Sequence, residues 1–282
     1  MVDIMKHMEF LGPNGYSLSQ GERAGLQVSM VQRQQEESLA MPLKFWGKLL
    51  ADEADYLICY SLRAPELEEG IFPMRQYYYA TSNDTLLRQM PTLSAEQKSL
   101  AAAVPKGQRF KGDPSLPLDA EPEEEEADDS EEPKAAPERF RELHRLAYTV
   151  AQIDHDVAVT PKGAMLMEAS RRVVPNRYFE GLSYEAAGNI RNYFHCRGPE
   201  TPAAAAALTR KGLVSDADFL DPLAGDRPQG VWSLTRDTTN TMACLRSLAW
   251  PGYFFFTQIG SGEHGGVYFG TGLPNTDLAF ML

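Results

Sequence analysis

Three stretches decide the fold: GVWSLTRD at 230–237, TMACLRSLAWPGYFFFTQ at 241–258 and GGVYFGTG at 265–272. Short runs of aromatic and β-branched residues stand between glycines, which supply the positive φ that tight turns need, so the region reads as a packed antiparallel meander. The apolar DLAFML follows, and Leu278, Ala279, Phe280, Met281 and Leu282 are expected to dock against something. Gly260, Gly262 and Gly265 spell G-x-G-x-x-G. A dinucleotide loop of that spacing needs the third glycine to open a helix, with an acidic residue about twenty positions on. Here the glycines lead into VYFGTG, another strand, so the reading is a hairpin loop, and no cofactor is expected.

Upstream, Ser19 and Glu22 match a capping box, and Leu26, Met30, Arg33 and Glu37 continue at helical spacing. KFWGKLL and DYLICYSL, around the turn-prone ADEAD, read as a β-hairpin. Residues 72–80, with three consecutive tyrosines, make a third strand, and residues 94–103 a helix with Ser94 as its N-cap and Gln97 at the third position. Further on, Phe140, Leu143, Leu146, Ala147 and Val150 recur at three- and four-residue steps and predict a helix whose end tertiary context could draw into a strand. Residues 156–160 and 164–168 flank the turn signal Pro161-Lys162-Gly163 and read as a hairpin. Residues 183–195 read as a helix capped by Ser183. Thr201-Pro202 opens another before the alanine run 203–207. The fold class is α+β, a mainly antiparallel sheet with several flanking helices. No fixed-period repeat points to a solenoid or propeller.

The chain has 282 residues, 43% of them hydrophobic and 10% aromatic, and a formal charge of −12. That charge is local. Ten of the 39 acids lie between Asp119 and Glu132 with no base among them, so the remaining 29 nearly balance 27 Lys and Arg. Residues 114–137 therefore form an acidic, proline-rich segment between an N-terminal part, 1–113, and a C-terminal part, 138–282, the two expected to make one integrated domain. The segment holds too few large apolar residues to offset its ordering entropy and reads as a disordered loop. It is either a solvated spacer or an electrostatic surface for a basic partner, with Glu123, Glu124, Glu125, Glu126, Asp128 and Asp129 as its centre. No basic stripe supports nucleic-acid binding, and no signal or membrane-spanning segment is apparent. Cys59, Cys196 and Cys244 are too scattered for a disulfide framework, which suits a cytoplasmic setting.

Asp154-His155-Asp156 places a histidine between two carboxylates, but neighbours in a helix or strand diverge, so no metal site or acid–base pair is expected. His195 and Cys196 are adjacent, whereas catalytic Cys–His pairs converge from separate segments; they read as a helix-end histidine and a packed thiol. Asp237, Asp277 and His264 have no local companions, and no catalytic or metal-binding residue is assigned. The aromatic set around Phe45, Trp46, Trp250, Tyr253 and Phe255 is core for the most part, with one face a candidate interface with a partner, because Tyr and Trp are enriched at interface hot spots.

In chain order, FWGK at 45–48, ADY at 54–56, RFKGDPS at 109–115, QIDHDVAVTPKGA at 152–164, NRYFEGLS at 176–183, NYFH at 192–195, LAWPG at 248–252, GGVYFGTG and DLAFML resemble the radial spoke head protein 9 family. The match covers most of the chain and is thinnest across 119–137 and 203–211. The resemblance implies a non-enzymatic structural subunit of the radial spoke head, in the axoneme of motile cilia and flagella. It also implies assembly with radial spoke head proteins 4 and 6, contact with the central pair apparatus and relay of mechanical signals to the dynein arms. Self-association is a further expectation. Two readings from other classes stay open: a small-molecule enzyme using the glycine loop 260–266, and a free acidic adaptor or histone-chaperone-like protein.

Overall fold

The computed structural model describes residues 3, 6–39, 41–63, 71–118, 139–168, 170, 172–209 and 219–281. The acidic run and its proposed electrostatic centre, Glu123 to Asp129, lie outside them. After a 3-10 turn at Met8–Asn14 come α1 (Gln20–Glu36), β1 (Lys44–Leu49), β2 (Tyr56–Arg63), β3 (Met74–Thr81), β4 (Arg88–Gln89) and α2 (Ala95–Ala103). The chain continues with α3 (Glu142–Val157), β5 (Val159–Pro161), β6 (Met165–Met167), β7 (Val173–Pro175), α4 (Tyr184–Ala187), β8 (Tyr193–His195) and α5 (Pro202–Thr209). The last elements are β9 (Trp232–Arg236), β10 (Met242–Ser247), β11 (Tyr253–Gln258), β12 (His264–Gly270) and the short α6 (Leu278–Met281).

Eight strands form one sheet in the order β4-β3-β2-β1-β12-β11-β10-β9, so the aromatic meander makes one half and the first four strands the other. Every described neighbouring pair in it is antiparallel except β1 and β12, which run parallel with Gly47 opposite Tyr268. The chain is therefore α+β with a mainly antiparallel sheet. Both faces of the sheet are covered, which is why the central strands are continuous apolar runs rather than alternating ones. On one face Tyr253, Phe255 and Tyr268 pack with Leu146, Val150 and Ile153 of α3. On the other, Phe254, Phe256 and Phe269 pack with Leu26 of α1 and Leu11 of the N-terminal turn. The three consecutive phenylalanines are all fully buried, each contributing about 2–3 kcal/mol of apolar transfer.

Local chemistry sets the helix starts. In α1 the Glu22 N–H donates to Ser19 Oγ at 3.2 Å and the Ser19 N–H to Glu22 Oε2 at 2.9 Å. Ser94 and Gln97 make the same reciprocal pair at α2. The β1–β2 hairpin forms as read, with a register shift between Phe45 and Gly47.

Three local expectations are corrected. The helix begun near Phe140 runs to Val157 and is not drawn into a strand, so 156–160 and 164–168 do not pair. The turn at Gly163 forms with φ 84°, but β5 pairs with β8 and β6 with β7. Residues 183–195 are not one helix: α4 ends at Ala187, where Gly188 follows, a 3-10 turn spans Ile190–Asn192, and the chain then extends into β8. Buried Tyr193, whose hydroxyl donates to the Ala187 carbonyl at 2.8 Å, is worth more in the core than in a solvated helix. Among the described residues of the apolar tail, Leu278 packs on the α3-side core while Phe280 is 90% exposed; Leu282 lies outside the described residues.

Candidate interaction surface

The site-forming residues radiate from the last turn of α3. Successive helical side chains diverge by about 100°, and Asp154 serves a different neighbourhood from His155 and Asp156. Asp154 accepts from Tyr77 Oη at 2.6 Å, from Trp46 Nε1 at 3.3 Å and from Arg75. Burial opposes the Arg75 charge, but the Asp154 carboxylate outweighs it and holds the guanidinium pKa well above its ordinary value. Burial also pushes the Tyr60 phenol, beneath Arg75, up to about 12. Trp46, Tyr60, Arg75 and Asp154 line a cavity of about 80 Å³ that reaches Cys196 and Tyr253. Burial likewise raises the Cys196 thiol, making it a packed group rather than a thiolate.

Asp156 faces the other way. Its Oδ2 accepts from Trp250 Nε1 at 2.9 Å, and His155 bridges Asp156 Oδ1 at 3.2 Å to Glu200 Oε1 at 3.3 Å. Beyond lies a cleft of about 460 Å³. On its far side His195, on β8 rather than at a helix end, places Nε2 2.9 and 3.0 Å from the two oxygens of Asp226. Trp232 Nε1 donates to the same carboxylate at 2.7 Å. Asp221 accepts from the Thr201 hydroxyl at 2.5 Å and the Glu200 N–H at 2.7 Å. Burial opposes its charge, yet these bonds hold its carboxyl below the ordinary range. The Thr201 hydroxyl thus serves Asp221.

His195 and Cys196 line different cavities, so they do not act on one another. Asp237 accepts from Thr238, Thr239 and Thr241 in the β9–β10 turn, and His264 lies edge-on to Phe179. Gly260, Gly262 and Gly265 sit in the β11–β12 hairpin and at the start of β12. Gly262 abuts the Phe179 carbonyl and the Gly260 N–H donates to Leu182 at 3.0 Å, so this loop receives another stretch of chain. Among the described residues no three His, Cys, Asp or Glu side chains converge as a metal site, and no helix is long and apolar enough to cross a membrane.

Phe45, Trp46, Trp250, Tyr253 and Phe255 are each at most 7% exposed. They are buried within the chain itself, on both faces of the sheet. The most exposed large apolar side chains among the described residues are others: Tyr178 and Phe280, both 90% exposed, Val28 at 67% and Met281 at 59%. Sequence reasoning did not single out Glu200, Asp226 or Trp232. Their cleft gathers four separate stretches of chain, and no local spacing signals it.

No family model matches the chain. It is 35% identical over 280 residues to the protein named radial spoke head protein 9 homolog from Danio rerio, covering 98% of this chain and 97% of that one. The Homo sapiens protein of the same name is 33% identical over 281 residues, covering 99% and 98%. The one from Xenopus tropicalis is 30% identical over 276 residues, covering 98% and 97%.

Proposed function

The chain belongs to the radial spoke head protein 9 family, and on that premise we propose that it is a structural, non-enzymatic subunit of the radial spoke head in the axoneme of motile cilia and flagella. The observation that carries this reading is the extent of the match: 98% of this chain aligns with 97% of its Danio rerio relative. The partners are the larger spoke head proteins 4 and 6. In the assembled head the subunit touches the central pair apparatus and passes mechanical load toward the dynein arms.

A sheet buried on both faces and locked by polar networks such as Arg75–Asp154–Tyr77 is suited to bearing load. The partner surface is drawn around the outward apolar residues, Phe280 and Met281 on α6 and Tyr178, with the inner aromatics as their rigid support. The acidic residues from Glu123 to Asp129 supply charge toward a basic surface of the central pair.

Size-exclusion with light scattering tests this reading, on the purified chain alone and mixed with a spoke head protein 4 or 6 from the same organism. A stable co-migrating complex is expected. A monomer indifferent to both partners overturns the reading and brings forward a free acidic adaptor.

A further inference from the structure

The cleft between α3, β8 and β9 is continuous with a second trough. The two share Asp156, Ala249 and Trp250, and the second, of about 510 Å³, passes along Ala101, Val104 and Pro105 of the α2 end and past Leu273 and Pro274. One end of this groove is acidic and aromatic; the other mixes apolar Val104, Pro105 and Leu273 with polar Lys106, Arg145 and Gln152. In the acidic half Asp156, Glu200, Asp221 and Asp226 outnumber Arg197 and Arg227. Two of the four carboxylates keep outward capacity, since Asp156 and Glu200 side chains are 44% and 61% exposed.

The groups at the floor are incompletely satisfied. His195 Nε2 lies against both oxygens of Asp226 and donates to them, which in the neutral ring leaves Nδ1 as an acceptor. Nδ1 has no hydrogen-bond partner, although the His195 side chain is only 3% exposed. Arg197 Nε, also lining the cleft, is a buried donor without a partner. Buried polar groups left unpaired destabilise the free chain, so a ligand that pairs them gains what the free chain lacks.

We propose that this groove binds an extended segment of a protein partner, with a basic side chain of that segment seated in the acidic half. Separate N–H groups of the basic side chain donate to His195 Nδ1 and to the free lone pairs of Asp156 and Glu200. A backbone carbonyl of the same segment accepts from Arg197 Nε, which distinguishes a peptide from a free cation. Apolar residues beside the basic one then lie over Val104, Pro105 and Leu273. The inference rests on the reading of the chain as an assembly subunit, for which it supplies one docking mode.

The protein has three tryptophans, and their indole N–H groups report the site directly. Trp232 and Trp250 donate to Asp226 and Asp156 in the cleft, whereas Trp46 donates to Asp154 on the other side of α3. The full-length, ¹⁵N-labelled chain is titrated with N-acetyl-arginine methylamide and, separately, with the neutral citrulline analogue. Expected is a saturable shift of the Trp232 and Trp250 indole signals with the arginine probe only, Trp46 staying still. Asp156→Asn with Glu200→Gln, both exposed, should keep the fold and weaken the response about threefold or more. Equal response to citrulline, equal movement of Trp46, no saturable shift, or an unaltered response in the double variant overturns the proposal. If the wild-type chain forms the spoke head complex while the indoles ignore arginine, the groove assignment fails and assembly stands. Arginine binding without complex formation overturns the assembly reading alone.

Discussion

Gly47 and Tyr268 are register partners across the parallel seam that joins the two halves of the large sheet, and the Tyr268 backbone occupies the space where a Cβ on residue 47 would stand. Gly47→Ala therefore pushes backbone against backbone, which has no rotamer to yield, and should cost about 3 kcal/mol in urea unfolding. Gly21→Ala is the contrast. Nothing lies within 4 Å of its Cβ position on α1, so it should gain about 0.5 kcal/mol from helix propensity.

Arg75 and Asp154 are a mostly enclosed ion pair, with side chains 20% and 16% exposed. Arg75→Met leaves the carboxylate without its cation and should destabilise by about 3 kcal/mol. Adding Asp154→Asn removes the stranded charge while keeping an acceptor for Tyr77 and Trp46, and should recover at least half of that loss. A double-mutant cycle by denaturant unfolding checks both.

The N-terminal segment is held by His7, whose Nδ1 accepts from the Asp3 N–H at 2.9 Å and whose Nε2 lies 2.7 Å from Glu263. Burial lowers the His7 pKa below 6.5, despite the opposing pull of Glu263. The hydrogen bond from Lys6, then that from His7, lowers the Glu263 carboxyl below 4.5. The unfolded chain thus binds protons before the folded one does at both groups. Stability falls with pH from 6.5 through the folded His7 value, and again from 4.5 through the folded Glu263 value. Hydrogen exchange of the Met8–Asn14 amides should speed up between pH 7 and 5, relative to intrinsic rates, while β11 stays protected. His7→Gln should remove the upper step.

Phe280 is 90% exposed on a turn held by Asn275, whose Nδ2 donates to the Leu248 carbonyl at 2.9 Å. Phe280→Ser should leave stability within about 0.5 kcal/mol while weakening the complex with a spoke head protein 4 or 6 partner. Unchanged affinity by calorimetry would remove α6 from the partner surface.

Replacing the ten acids between Asp119 and Glu132 by serine and glutamine should leave the melting temperature unaltered. Association with isolated central-pair components should weaken and lose its salt dependence, since exposed charges act over roughly 10 Å at 0.1 M salt. Unchanged binding would assign the segment a spacer role.

The sequence by itself determined the elements whose signal is local. Ser19 with Glu22 and Ser94 with Gln97 fixed two helix starts through their own hydrogen bonds, and the aromatic runs parted by glycine marked the meander. The ordered motifs from FWGK to DLAFML identified the family, because such a set carries information without any geometry. Only the tertiary structure decided which strand meets which. The turn at Gly163 promised a hairpin, yet β5 found β8 and β6 found β7, because three-residue strands carry no register of their own and pair where burial of neighbours such as Tyr193 directs them. It likewise decided that Phe45, Trp46, Trp250, Tyr253 and Phe255 face inward, since a second covered sheet face is invisible in a continuous apolar run. And it alone brought Asp156, His195, Glu200 and Asp226 to one cleft, by closing chain stretches whose separation in sequence bears no relation to their distance in space.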